Sequence, residues 1–113
     1  MKVENLNPLP KDKVNFKLAS HKFVPESMGC YVLSTFGNDI LYIGLSENLR
    51  IRFKQHLDNE VKITPTSEGK AIWFHYLTYD TKNLPQLERT WINQFVAVHG
   101  RLPILNKVNS PIR

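Results

Sequence analysis

The pair Gly37-Asn38 lies between two short runs, residues 30–36 and 39–44, that are rich in Val, Ile, Leu, Tyr and Phe. No other stretch constrains the fold as tightly. Gly and Asn tolerate the positive φ that tight hairpin turns demand, so the segment predicts two antiparallel strands joined by a two-residue loop. Such a loop sets Phe36 opposite Asp39, Leu33 opposite Tyr42 and Tyr31 opposite Gly44. Side chains alternate along a strand, which puts Tyr31, Leu33, Tyr42 and Gly44 on one face. The tyrosines become diagonal neighbours, with backbones about 7–8 Å apart. Gly44 leaves an open space beside them.

A helix is expected next. Ser46, Glu47 and Asn48 all stand where a helix could start, with Ser and Asn the better caps. Leu49, Phe53 and Leu57 then form an apolar stripe at a spacing of four. Arg52 and His56 are also four apart and flank that stripe. Both can be positive, an unfavourable pairing that a phosphate between them would relieve. Arg50 and Lys54 add charge to the same segment.

Residues 58–70 are polar and turn-rich and read as a surface loop. Residues 71–79 (AIWFHYLTY) read as a third strand, since aromatic and β-branched types dominate. A second helix is predicted from near Pro85, with Leu87, Trp91, Ile92, Phe95 and Val98 on its buried face and Gly100 ending it. Residues 102–106 (LPILN) read as an extended closing segment. Residues 1–22 read as an arm packed against a domain spanning 23–113. The class is α+β, a small three-stranded antiparallel sheet flanked by helices.

The chain's 113 residues suit one domain, and 42% of them are hydrophobic, ample for a core. No apolar run approaches the roughly 20 residues that span a bilayer, and the amino terminus lacks a secretory h-region, so a soluble cytoplasmic protein is expected. The single cysteine, Cys30, excludes an internal disulfide framework and a cysteine-based zinc cluster. A net charge of +5 favours a polyanionic partner. The tail carries Arg101, Lys107 and Arg113 with no acid after Arg101.

Glu88 borders the buried face of the second helix, beside Leu87 and one turn from Trp91 and Ile92. A carboxylate there loses hydration worth several kcal/mol unless a cation compensates. The bland reading is a pair with a nearby Arg or Lys. The functional reading is a divalent-metal ligand, because magnesium often takes a single protein carboxylate and keeps its waters. Taken alone, Arg52 could be a solvated helical arginine, His56 a structural histidine and the tyrosines ordinary strand aromatics. His21, His75 and His99 show no ligand spacing. Trp73 and Trp91 read as core, and Cys30 as a small apolar residue on the face opposite the tyrosines.

Gly29-Cys30-Tyr31 followed by Tyr42-Ile43-Gly44 resembles the signature of the GIY-YIG nuclease superfamily, with cysteine inside the first triplet. Asn48-Leu49 precedes Arg52 where that family has its essential arginine, and His56 falls where members carry a histidine or a tyrosine. Leu87-Glu88 matches the pair that holds the family's metal-binding glutamate, and Pro103 with Asn106 matches the closing element. The resemblance spans roughly residues 23–109. Leu45 departs from it, since many relatives carry a lysine there; Lys54 and Lys70 are candidates for replacing that charge.

The resemblance implies a DNA endonuclease that hydrolyses a phosphodiester to a 5′-phosphate and a 3′-hydroxyl with Mg²⁺ or Mn²⁺. Glu88 would hold the ion and Arg52 would stabilise phosphoryl charge. Tyr31 or Tyr42 would activate water, with Tyr42 favoured, and nearby positive charge would lower its pKa. His56 would hydrogen-bond phosphate or a tyrosine. Arg50, Lys54 and Asn106 would contact substrate, with Asn106 also bracing the site. Relatives usually add a DNA-recognition domain, so a separate recognition protein is an expected partner. The competing readings are a catalytically silent nucleic-acid-binding module of the same fold and, more remotely, a protein–protein interaction domain.

Overall fold

The fold is that of a computed structural model describing residues 1–79 and 83–106. In chain order its elements are β1 (Asp12–Asn15), β2 (Gly29–Ser34), β3 (Ile40–Ser46), α1 (Leu49–Leu57), α2 (Glu60–Ile63), β4 (Trp73–Thr78) and α3 (Leu84–His99). Two 3₁₀ turns, Val3–Asn5 and Leu18–Phe23, precede the hairpin. Lys107 and Arg113 of the basic tail lie outside the described residues.

The hairpin keeps the expected register away from its turn, Leu33 against Tyr42 and Tyr31 against Gly44. The turn itself differs. Thr35 N–H donates to the Asp39 carbonyl and Asn38 N–H to the Thr35 carbonyl, both at 3.0 Å, so Phe36, Gly37 and Asn38 form a three-residue loop. Asn38 takes the positive φ of 72°, the common solution for loops of that length. Ser34 then pairs with Ile40, and Leu41 is the extra residue of a bulge that restores register before Tyr42.

The α+β class holds, but the sheet is four-stranded, in the order β1-β4-β2-β3, with every pair antiparallel. The added strand comes from the amino-terminal arm. Its sequence, Asp-Lys-Val-Asn, hides it: as an edge strand it half-buries only Val14, which pairs with Phe74. Residues 58–70 also hold more than a loop. Asn59 Oδ1 accepts from Val61 N–H at 3.0 Å and caps the single turn of α2.

Alternation divides the core. Tyr31, Leu33, Tyr42 and Phe74 pack with Leu49 and Phe53 of α1 on one face. Cys30, Val32 and Ile43 pack with Leu87, Trp91 and Phe95 of α3 on the other. Helix α3 starts with Pro85 in its first turn and stops where Gly100 adopts φ 69°, its N–H on the Val96 carbonyl. Val98, expected on the buried face, is 65% exposed. Residues 104–106 form a turn instead of an extended segment, and Leu105 N–H donates to the Leu41 carbonyl on the free edge of β3.

Candidate active site

Tyr31 is the fixed point of the tyrosine face. It is fully buried, its ring stacks on Phe74 at 5.0 Å and 13°, and its hydroxyl lies 2.5 Å from His56 Nε2. Arg52 and Tyr42 also act on that hydroxyl, with opposite effects on its ionisation. Gly44 makes the packing feasible: a Cβ there would sit 2.6 Å from the Tyr31 hydroxyl and 2.9 Å from Tyr42 Cε2. The open space expected beside Gly44 is therefore filled by the phenol itself. Tyr42 meets the His56 ring nearly edge-on, with centroids 5.2 Å apart.

Asn48 caps α1 by accepting from Ile51 N–H at 3.1 Å, and that start fixes Arg52 and His56 on the turn facing the hairpin. Arg52 donates from Nη1 to the Leu45 carbonyl at 3.2 Å and from Nε to Gln55 Oε1 at 3.0 Å. His56 is fully buried, and its Nδ1 has no hydrogen-bond partner. Burial pushes it down from 6.5 to about 3, with Lys62 and Arg52 adding to the effect. The imidazole is thus neutral near pH 7, and Arg52 and His56 are not the pair of cations the spacing suggested. Tyr31 is pushed well above 10.0, first by burial and then by Tyr42, against the opposite pull of Arg52.

Lys62 is the residue that sequence reasoning missed. It is fully buried on α2, with Nζ 4.6 Å from the Tyr42 ring centroid and no hydrogen-bond partner. The polarity of residues 58–70 concealed it; Asn59 ahead of Glu-Val-Lys-Ile was the available helix-start signal. The two lysines considered in its place lie elsewhere. Lys54 pairs with Asp58 at 2.8 Å one turn along α1, and Lys70 is exposed.

Glu88 reaches the same stretch of β3 from the opposite face. It is 7% exposed and lines a cleft of about 380 Å³ with Leu45, Pro85, Arg89 and Ile92. Leu45 links the two halves, since its carbonyl receives Arg52 and the residue also lines the Glu88 cleft. Cys30, paired with Leu45 across the hairpin, is pushed up to about 12 by burial and then by the Glu88 charge. It stays a thiol. Among the described residues no group of three His, Cys, Asp or Glu side chains gathers around a possible ion.

The three residues expected at substrate are held by the protein itself. Arg50 donates from Nε to the Val24 carbonyl at 2.7 Å and from Nη2 to the Lys22 carbonyl at 3.3 Å, and it pairs with Glu26 at 3.1 Å. It ties α1 to residues 22–26. Lys54 carries the ion pair to Asp58. Asn106 uses both ends of its amide on Ile43, accepting from its N–H and donating to its carbonyl at 2.9 Å each. It acts as a peptide-like cap on the edge of β3. His75 is structural, with Nε2 2.8 Å from Ser34 Oγ. Among the described residues, no helix is long and apolar enough to cross a membrane.

Known proteins resemble this sequence. The model of the GIY-YIG catalytic domain matches residues 27–101, from just before β2 to just after α3. A UvrABC system protein C of Prochlorococcus marinus subsp. pastoris is 27% identical over 123 residues, covering 76% of this chain and 19% of the relative. A second protein of that name, from Prochlorococcus marinus (strain MIT 9312), is 31% identical over 71 residues, covering 56% of this chain and 11% of the relative. The chain thus spans about a fifth or less of the length of these curated relatives. With the tyrosine pair, its glycine seat, the arginine and the glutamate converging on β3, and the family model covering the core of the fold, the chain belongs to the GIY-YIG family.

Proposed function

We propose that this chain is a divalent-metal-dependent DNA endonuclease domain that hydrolyses a phosphodiester to a 5′-phosphate and a 3′-hydroxyl. The observation that carries the reading is the convergence on Leu45 of two half-sites. One is the linked Tyr31–Tyr42–His56–Arg52 cluster and the other is the cleft holding Glu88. Among the described residues Glu88 is the one carboxylate lining this cleft, which suits an ion that keeps most of its waters, as magnesium does, and suits zinc poorly. Glu88 would hold Mg²⁺ or Mn²⁺, which when bound would supply Lewis-acid stabilisation of the charge developing at the phosphate.

The chain's own residues do the rest. Arg52, tethered to Leu45, offers guanidinium donors to the charge that develops on the phosphoryl oxygens. Tyr42 is the better base, because Tyr31 is fully buried, occupied at its hydroxyl and pushed up. The Tyr42 phenolate takes one proton from water, and the hydroxide formed bonds to phosphorus. The bond from phosphorus to the 3′-oxygen breaks, and that oxygen takes a proton from solvent. Neutral His56 and protonated Tyr31 fix the geometry around Tyr42.

Supercoiled plasmid should be nicked with Mg²⁺ or Mn²⁺, and chelation, Glu88→Ala or Arg52→Ala should abolish nicking. Wild-type rates in both variants would sink these roles. Salt-dependent DNA binding with no turnover under any divalent ion would leave the silent binding module standing instead.

A further inference from the structure

Lys62 has a position that the fold alone does not explain. It is fully buried, and its Nζ is without a hydrogen-bond acceptor. Lysine is almost never fully buried unless paired, because an ammonium out of water must recover its lost hydration from a partner. No carboxylate stands in an ion pair with it among the described residues. Its Nζ lies over the face of Tyr42, at 4.6 Å from the ring centroid. Local structure enforces the placement: Lys62 N–H bonds to the Asn59 carbonyl at 2.9 Å, and the single capped turn of α2 delivers the side chain inward.

Groups from three elements face Tyr42. Tyr31 of β2 approaches with ring centroids 6.0 Å apart and stays protonated. His56 of α1 is neutral near pH 7, and Arg52 of α1 is tethered to the Leu45 carbonyl and to Gln55. Lys62 of α2 is the cation that lies on the Tyr42 ring itself, and burial pulls its ammonium below the ordinary lysine value. A cation over an aromatic face is attracted by the ring quadrupole. When the phenol ionises, its new negative charge spreads into that ring, and attraction to a desolvated ammonium grows.

We propose that Lys62 is an electrostatic positioning residue for Tyr42, whose ammonium stabilises the phenolate that accepts a proton from water. The inference deepens the nuclease reading and rests on it for the purpose of the phenolate. The effect of the charge on Tyr42 is measurable without turnover.

The test is an ultraviolet absorbance titration of the metal-free protein. Wild type minus Tyr42→Phe isolates the ionisation of Tyr42; Lys62→Met minus Lys62→Met/Tyr42→Phe isolates it without the ammonium. Removing the charge should make Tyr42 ionise about tenfold less readily, a midpoint about one pH unit higher. Lys62→Arg, which keeps the charge, should restore most of the shift. Nicking at neutral pH should fall by the same factor in kcat with KM little changed, and the acid limb of the pH–rate profile should move up. An unchanged Tyr42 midpoint in Lys62→Met overturns the proposal. Should Lys62→Met fail to fold, Lys62→Gln gives the same decision. A shifted midpoint in a wild-type protein that never nicks DNA keeps the charge effect and removes the nuclease reading.

Discussion

The two faces of the β2–β3 hairpin are made of alternate residues of the same strands, yet they are built on different principles. Toward α3, Cys30, Val32 and Ile43 meet Leu87, Trp91 and Phe95, an apolar contact closed by shape. Toward α1 and α2, the same strands bury two phenols, an imidazole and an ammonium, tied by hydrogen bonds and ring contacts. The apolar face gains stability from nearly every group it hides. The polar face holds groups that a core would replace with Leu or Phe at lower cost, and His56 Nδ1 and Lys62 Nζ are buried without hydrogen bonds at all. The contrast separates what holds the domain together from what the domain holds in place. Glu88, a buried carboxylate on the apolar face, is a polar exception there that meets the other side at Leu45.

The largest expected effect comes from neutralising each side in turn. Glu88→Gln keeps volume and removes charge, so nicking should fall by about 10³-fold with the melting temperature unchanged or higher. Tyr42→Phe should lower nicking by about 10²–10³-fold, within the range for losing a general base. A variant of either kind that melts early, with activity recovered at low temperature, would show that it acts through stability and would break the division of the two faces. Next is Gly44→Ala. A methyl 2.6 Å from the Tyr31 hydroxyl forces the phenol off its seat, at a cost of about 1–3 kcal/mol in unfolding free energy. Urea unfolding measures it, and a loss under about 0.5 kcal/mol would mean that the seat is looser than its geometry.

How much of this was legible in the sequence follows the same division. The register that aligns Tyr31 with Gly44 could be read from Gly37-Asn38, even though the true loop has three residues, because the Leu41 bulge compensates the extra one. The stripe and cap of α1 were legible through local spacing and Asn48. Strand β1 was not, since a short edge strand with charged side chains carries no apolar alternation. Lys62 was hidden for a related reason: α2 is one turn long, too short for periodicity to report which side faces in. Arg50 and Asn106 were legible as residues but not as contacts. Their partners, Val24 and Ile43, are brought to them only by tertiary folding.

Asn106→Ala should come third in size. It removes two hydrogen bonds from the exposed edge of β3 at Ile43, worth about 1–2 kcal/mol together, while water can reclaim part of the edge. Amide hydrogen exchange at Ile43 should rise without a matching rise at Val32 in the sheet interior. Equal protection in variant and wild type would show that the cap contributes nothing to the edge.

The smallest effect compares the faces by pH. His56 lies on the tyrosine face and His75, beside Val32 in the register, on the other. Burial pushes them down from 6.5 to about 3 and about 4. Both folded values lie below the unfolded one, so the unfolded chain takes up protons first, and stability present above pH 6.5 is lost as pH falls toward the folded values. Between about pH 6.5 and 5.5 each buried histidine should cost about 1 kcal/mol. Thermal melts across that window should show wild type losing stability and His75→Gln losing less. The same relief in His56→Gln would place equal acid sensitivity on both faces. A slope untouched by His56→Gln would mean that protonated His56 finds an acceptor in the fold, Tyr31 being the nearest, and that the neutral imidazole is not fixed by burial.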